Sequence, residues 1–495
     1  MRTLDLLILL GYLFAVVGYG CWFVVRSRTS EHFMSAGRAL PGWAVGLSIF
    51  GSYVSSISFL AHPGKTYAEN WNPFVFALSL PLATWIAVRW FVPFYRRAGE
   101  VSAYHHLEQR FGPWARTYAV VCYLLMQLAR LGTILYLLAL ALRPVVGWDL
   151  WVLIVVIGVL VTIYPLLGGT EAVIWTGVVQ AVVMAAGPVV CIVLLLTGMP
   201  EGPGQIFAIA AEHSKFSLGS WAPSFASSTV WVVLLYGLFT NLQNFGIDQT
   251  YVQRFITAKS DRDAERSVWM GGLLFIPINA MFLFIGVALF AFYQAQPGLL
   301  PTGTRPDEVF PHFITHQLPV GMTGFVLAAL CSAAMDSNLN CCATLVLCDL
   351  YRRYLRPQAS ESESMRVLRA TTLVMGALSV LAALAMIHVK SALDAWWQLA
   401  GIFSGGMLGL FLLGLCYRRA TGRGAAIGAV AGVLVITWMT FSPKLTRLPD
   451  LLRSPFHGFM PIVIGTLTII VVGAIASGGG TTMTNRASRQ SERAA

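Results

Sequence analysis

The chain has 495 residues, 57% hydrophobic and only 11% charged, with a formal net charge of +11. Typical soluble domains carry about 25% charged residues. Charge-free apolar runs recur along the whole length, so the chain reads as a polytopic membrane protein and a soluble fold is excluded. The basic surplus sits in short loops between those runs, which ties it to membrane topology rather than to nucleic acid.

Thirteen candidate spans follow one another near 4–25, 41–64, 70–95, 116–142, 148–167, 172–198, 229–247, 268–295, 317–350, 367–388, 392–416, 423–441 and 459–477. The first, Leu4 to Val25, lacks a basic start and a small-residue cleavage site, and reads as a retained span. A short surface helix is expected at Gly204 to His213 in the longest outer loop, about 199–228. The tail from Ser477 is rich in Gly, Thr, Ser and Arg and reads as disordered. The 8 cysteines are scattered through apolar segments without metal or redox spacing, so they read as small packing residues.

Alternate loops differ in charge. One set holds Arg26, Arg28 and Arg38; Arg96, Arg97 and Arg110; Arg254, Lys259, Arg262 and Arg266; Arg352, Arg353 and Arg356; Arg418, Arg419 and Arg423. The other set holds only Lys65, Arg143, Lys215, Arg305 and Lys390. Positive residues stay on the cytoplasmic side, so the N-terminus is expected outside and the C-terminus inside. The loop holding Lys444, Arg447 and Arg453 breaks this pattern.

Three polar interruptions fall inside apolar spans. The first, Ser48 to Leu60, carries five serines and Gly51, and Pro63-Gly64 follow. Two readings stay open there. Small residues select close helix packing. They also let a helix open, so that freed carbonyls ligate a cation and freed N–H groups face an anion. The second interruption is Thr240 to Gln249, and the third is Ser332 to Asn340. Amides or a carboxylate at membrane depth are costly unless they face partners or a cavity. The first stretch heads spans two to six and the second heads spans seven to eleven. Breaks in corresponding places of two halves point to an inverted-repeat transporter with a binding site at the breaks. No nucleotide loop, paired metal-ligand motif or nucleophile motif is present, so an enzyme is a poor fit.

At these residues the chain resembles the sodium:solute symporter family, and within it the bacterial sialic acid transporters and sodium/sugar symporters. The resemblance is carried by Gly37-Arg38-Ala39-Leu40-Pro41-Gly42-Trp43, Ser55-Ser56-Ile57-Ser58-Phe59, Ser102-Ala103-Tyr104 with Leu107-Glu108-Gln109-Arg110-Phe111, and Leu140-Ala141-Leu142-Arg143-Pro144. Gly168-Gly169 with Val173-Ile174-Trp175-Thr176, Asp248-Gln249 with Val252-Gln253-Arg254, and Leu339-Asn340 with Asp349-Leu350-Tyr351 continue it. Each match is weak alone; their order and spacing carry the signal. The resemblance implies an all-α, LeuT-like, five-plus-five inverted repeat that moves solute inward by alternating access, driven by Na⁺. The first repeat would then occupy 41–198 and the second 229–416. An extra span at 4–25, extra spans at 423–477 and a tail at 478–495 would flank them.

Residue by residue, the resemblance implies sodium ligation by the Gly51 and Val54 carbonyls together with the eighth core helix. Anchoring on Leu339-Asn340 places the family's two hydroxyl positions on Ala333 and Ala334. Anchoring on Leu327-Ala328-Ala329-Leu330 places them on Asp336 and Ser337. Gly177 stands after Trp175-Thr176 where family members often carry Asp, and Asp336 is expected to compensate, supplying the negative charge for Na⁺ or titrating to couple a proton. For substrate, the resemblance implies Ser55, Ser58 and Arg130 against a carboxylate, with Tyr53, Asn241 and Phe245 as wall or gate. Ala77 stands where those transporters use a Gln.

The expected function is sodium-coupled symport of a small polar solute, sialic acid or another carboxylated sugar, with Na⁺ as coupling ion and no transition metal. The expected partners are the solute and membrane lipid, with no nucleic acid and no obligate protein partner. A proton-coupled or uncoupled carrier of the same fold and a transporter-like sensor are the alternatives.

Overall fold

A backbone in lipid must satisfy its own N–H and C=O groups, and this chain does so with helices throughout. The computed structural model describes residues 3–22, 34–99, 101–334, 338–445 and 449–478. The tail is expected to begin at Ser477, but Ser477 is buried in the last turn of a helix that runs to Gly478, donating to the Gly473 carbonyl at 2.7 Å. The tail beyond Gly478, Arg26, Arg28, Asp336, Ser337 and Arg447 lie outside the described residues. The helices are α1 (Thr3–Trp22), α2 (Gly42–Tyr53), α3 (Ile57–Ala68), α4 (Phe74–Ala98), α5 (His105–Phe111), α6 (Pro113–Val146) and α7 (Leu150–Thr197). Then come α8 (Gly204–Glu212), α9 (Val230–Ile247), α10 (Gln249–Ile256), α11 (Asp261–Ala295), α12 (Pro306–His316) and α13 (Met322–Ala334). The last are α14 (Asn338–Leu345, running on as a π-helical stretch over Val346–Leu355), α15 (Glu361–Ala385), α16 (Ala392–Cys416), α17 (Gly422–Phe441) and α18 (Pro461–Gly478).

Among the described residues, 11 helices are long and apolar enough to cross a membrane, and the bent pair of α2 and α3 makes 12. Leu150–Ile163, the apolar first part of α7, is shorter. Length and composition therefore do not reach the expected thirteen. The expected surface helix is present as α8.

Prolines leave a recognisable mark on the spans. π-Helical turns occupy Ile57–Ala61 and Ala87–Phe91, just ahead of Pro63 and Pro93. A proline lacks the N–H for an i→i−4 bond and crowds the carbonyl four residues back. Widening the preceding turn relieves both problems and keeps the helix running.

The arginine-rich loops gather on one face. Leu40 and Ala258 form an isolated bridge, and Arg96 donates to the Ile256 and Ala258 carbonyls and pairs with Asp261 at 2.8 Å. Arg110 donates to the Gly414, Tyr417 and Arg418 carbonyls. Deeper on the same face, buried Asp349 accepts from Ser102 (2.7 Å) and Arg116, and Arg116 also pairs with Glu108 at 2.7 Å. These pairs tie α5, α6 and the end of α14 together. At the other end, Lys65 pairs with Glu69 (2.7 Å) and with Asp394 in the first turn of α16 (2.8 Å).

Close packing depends on glycine at two crossings. A Cβ at Gly286 on α11 would collide with Thr66 and the Pro63 carbonyl of α3. A Cβ at Gly237 on α9 would lie 2.9 Å from the Phe76 backbone of α4 and from Ser79 Oγ. No side chain fits either crossing, so both second-half helices sit directly against the first half.

Asp307, on the short helix α12 outside the spans, is buried and accepts the Ala392 N–H at 3.1 Å. Its Oδ1 lies 2.7 Å from where a Gly64 Cβ would stand, so it joins α3, α12 and α16. Burial pushes its carboxyl up to about 6, with the Ala392 N–H opposing the rise. Between about pH 4 and 6 the folded protein holds a proton that the unfolded chain has released. Stability should therefore fall across that window, by on the order of 3 kcal/mol at about 1.4 kcal/mol per unit. Asp307→Asn should flatten the pH dependence of the melting temperature in detergent between those limits. An unchanged slope in the variant counts against Asp307 as its source.

Candidate functional site

The first helix interruption is real. α2 ends at Tyr53, Val54 is extended (φ −87°, ψ 107°), and α3 leaves at an angle of 53°. The ladder closes on each side with Val54 N to Phe50 O (3.2 Å) and Phe59 N to Ser55 O (2.9 Å). Between them, neither the Gly51 nor the Val54 carbonyl is paired with the N–H four residues on. Side chains satisfy the neighbouring groups. Arg130 of α6 donates to the Ser52 carbonyl, and Ser58 Oγ donates to the Tyr53 carbonyl at 3.1 Å. Ser56 Oγ donates across to Ile134 O on α6 at 3.0 Å, and the Ile57 N–H is capped by Ser55 Oγ at 3.3 Å. The serine cluster thus does local work: it replaces bonds that an unbroken helix would make with itself.

The second interruption falls at Asp248, extended between α9 and α10 (φ −81°, ψ 120°). Its carboxylate caps α10 by accepting the Thr250 N–H at 2.8 Å. The third expected interruption, Ser332 to Asn340, contains residues 335–337, which lie outside the described residues.

A small cavity of about 80 Å³ opens at the first break. Ser52, Tyr53, Ser55 and Ser58 line it from the break, and Arg130 from α6. Tyr236, Thr240 and Asn244 line it from α9, Tyr251 from α10 and Trp396, Trp397 and Ala400 from α16. His62, Phe76 and Phe275 complete much of the wall. Of these, Tyr53, Ser55, Ser58 and Arg130 were expected.

Asn241 and Phe245 do not line the cavity; they stand behind it. Asn241 is fully buried, accepts from the Tyr53 hydroxyl at 3.1 Å and donates to Ser79 Oγ at 3.0 Å. The Phe245 ring packs on Tyr53 (5.9 Å) and Tyr251 (5.8 Å). The lining residues Tyr236, Thr240 and Asn244 recur every fourth position, on one face of α9. Asn241 and Phe245 sit one position further along the chain, on the adjacent face towards Tyr53 and α4. The expected residues Asn241 and Phe245 missed this i, i+4, i+8 stripe of polar groups, which is the signal in the sequence for the cavity face.

At the expected sodium position, Gly51 faces α7. A Cβ there would lie 3.7 Å from Met184 Cε and 3.8 Å from the Gly177 carbonyl. α7, which carries Gly177, packs against both α2 and α13. Ala333 and Ala334 are buried at the end of α13, whereas Asp336 and Ser337 lie outside the described residues. Among the described residues the structure records no hydrogen bond to the Gly51 or Val54 carbonyl, and carbonyls are hard oxygen donors of the kind a group I or II cation prefers. Gly177 leaves room beside Ser48, whose Oγ lies 3.3 Å from a Cβ built there and accepts from Arg254 Nε at 3.0 Å.

Comparison with known proteins follows this geometry. The family model described as the sodium:solute symporter family matches residues 33–432. The sodium/sialic acid symporter SiaT of Proteus mirabilis (strain HI4320) is 34% identical over 477 residues, 95% of this chain and 94% of the relative. The sodium/sialic acid symporter NanT of Aliivibrio fischeri (strain ATCC 700601 / ES114) is 32% identical, covering 96% and 93%. A solved structure of a Na⁺-coupled sialic acid symporter, substrate-bound and outward-open, superimposes with a TM-score of 0.88 at 31% identity, over 96% of this chain and 98% of that one. Mhp1, a nucleobase-cation-symport-1 family transporter, superimposes at 0.56 with 17% identity, covering 89% and 93%, which shows the shared fold alone.

The two faces of α9 should respond differently to substitution. Asn241→Ala removes the acceptor of the Tyr53 hydroxyl and a donor to Ser79 Oγ, which keeps its own bond to the Phe76 carbonyl, and should cost on the order of 1 kcal/mol of stability. Asn244→Ala opens onto the cavity, so it should weaken solute binding with little loss of melting temperature. Thermal unfolding and solute binding on both variants check this; equal effects on the two measurements would remove the distinction.

Proposed function

The chain belongs to the sodium:solute symporter family and is a sodium-coupled symporter that works by alternating access; from that premise we propose that its solute is a carboxylated sugar of the sialic acid class. One observation carries this reading. The described lining residues include Arg130, seven hydroxyl-bearing side chains and two indoles, and no carboxylate. Such a wall suits an anionic polyol: the guanidinium addresses a carboxylate, the hydroxyls and Asn244 address ring substituents, and Trp396 and Trp397 cover apolar ring faces. Ser55 Oγ accepts from Ile57 N, so its own proton is available to the carboxylate. Arg130 serves twice in this reading, because the Ser52 carbonyl holds one arm of its guanidinium at the cavity wall. Asn241 and Phe245 fix the Tyr53 ring from behind.

In the same reading the Gly51 and Val54 carbonyls bind Na⁺ together with the α13–α14 segment, Ala333, Ala334, Asp336 and Ser337. Asp336 supplies the charge that is absent at Gly177. The repeats are 41–198 and 229–416, each headed by one broken helix. The arginine-rich face is cytoplasmic, with the N-terminus outside, the C-terminus inside and lipid around the spans.

Uptake into proteoliposomes tests the solute. Labelled N-acetylneuraminic acid should enter under an inward Na⁺ gradient, and a neutral hexose should not compete. Na⁺-driven entry of the hexose with no response to the acid sinks the proposal. Arg130→Lys loses the planar fork, and KM for the acid should rise about tenfold or more, the scale of one charge-assisted hydrogen bond. In the same assay Asp336→Asn should raise the Na⁺ concentration for half-maximal uptake. A Na⁺ titration matching wild type would leave Asp336 without a ligand role.

A further inference from the structure

The serines that line the cavity beyond the break lead to a third polar residue. Ser55, Ser58 and His62 recur at i, i+3 and i+7, so they share one helical face, and all three line the cavity. From Ser55 to His62 is about 10 Å of helix. Arg130 lies towards the other end of this stripe, where it donates to the Ser52 carbonyl. His62 is 5% exposed, and its Nδ1 is buried without a hydrogen-bond partner. Nε2 is then the ring nitrogen able to meet a solute. The polar neighbour of the ring is Asn279 of α11. Asn279 stands one turn beyond the lining residue Phe275, on the same face of α11. It is fully buried, and neither its Oδ1 nor its Nδ2 has a partner. α3 and α11 pack closely here, with the Phe59 and Phe282 rings 4.9 Å apart. Three unpaired polar atoms, His62 Nδ1 and both ends of the Asn279 amide, are therefore buried at one crossing beside the cavity. Packing alone favours apolar side chains at such a crossing, because unpaired buried polar groups are costly.

We propose that His62 is a specificity-determining residue that reads a hydroxyl group on the neutral end of the solute, and that Asn279 is its positioning residue. Asn279 meets Nδ1 and so decides which ring nitrogen carries the proton. Nε2 then bonds the solute hydroxyl. A hydroxyl both donates and accepts, so it suits whichever tautomer Asn279 selects. A carboxylate only accepts, and Arg130 addresses it at the other end of the serine stripe. The inference rests on the reading that the solute is a carboxylated sugar. Its carboxylate lies at Arg130, and its polyhydroxyl tail runs past Ser58 to His62. A solute without that tail forgoes the bond to Nε2.

The test uses the full-length protein in proteoliposomes under an inward Na⁺ gradient. Two solutes are compared: N-acetylneuraminic acid, and its analogue that keeps the carboxylate and lacks the polyhydroxyl tail. The readout is the ratio of their KM values, with the maximal rate and the melting temperature measured in parallel. His62→Leu should raise KM for the acid about fivefold to tenfold more than KM for the analogue, the scale of one lost hydrogen bond. His62→Gln keeps a donor and an acceptor on the side chain and should recover part of that selectivity. Asn279→Leu should shift the KM ratio in the same direction. Its melting temperature should hold or rise, because an apolar group of similar shape replaces an unpaired buried amide. A purely structural Asn279 would move the melting temperature and leave the ratio alone. Asn279→Leu is nearly isosteric, so it decides the matter even if His62→Leu does not fold. A KM ratio equal to wild type in these variants overturns the proposal and leaves the solute class standing. A wild type that takes up neither acid overturns the solute reading, and this inference with it.

Discussion

Everything around the cavity follows from a helix that stops hydrogen-bonding to itself at Val54. In lipid each unpaired backbone group costs several kcal/mol, so the break persists only because other groups take over. Arg130 takes the Ser52 carbonyl and Ser58 takes the Tyr53 carbonyl. Ser55 caps Ile57, and Ser56 anchors the turn to α6 through Ile134. The polar residues of this stretch are therefore structural. They hold the break together, and the break leaves the Gly51 and Val54 carbonyls without the N–H four residues on.

The same economy of polar groups governs the two ends of the molecule. Asp349 is fully buried and survives there because Ser102 and Arg116 reach it, while Arg116 is in turn shared with Glu108. Glu108, outside the spans, is held below the usual carboxylate range: Arg116 and Arg353 outweigh the opposing effect of its burial. At the other end Lys65 joins α3 to the first turn of α16 through Asp394. α16 also brings Trp396 and Trp397 to the cavity, so this ion pair links the broken helix to the helix bearing those two rings. A transporter that alternates access needs contacts at both ends that are specific and yet separable. Ion pairs near water meet that need better than interlocked apolar side chains, because water can replace each partner when they part.

Much of this was legible in the sequence because lipid leaves so few options. Low charge and recurrent apolar runs determined a polytopic helical protein, and loop arginines marked the face on which Arg96, Arg110 and Arg116 now meet. Five serines and a glycine at membrane depth determined where α2 and α3 part, since small and hydroxyl-bearing residues are what a broken helix requires. The Asp248 break was visible for the same reason, with its carboxylate supplying the cap. What the sequence could not decide was rotation and distance. Asn241 and Asn244 look alike in the chain, and a difference of about 300° around α9 puts one behind Tyr53 and the other on the cavity. Trp396, Trp397, Tyr251 and Phe275 come from distant segments, and only packing brings them to one wall. Asp5 stands near one end of an apolar span, and only the approach of Gly324 and the N–H groups of Gly321 and Gly324 gives it partners. Periodicity and composition are local properties, and they determined the elements and their breaks. Which faces meet depends on contacts between residues far apart in the chain, and those were decided by the tertiary structure alone.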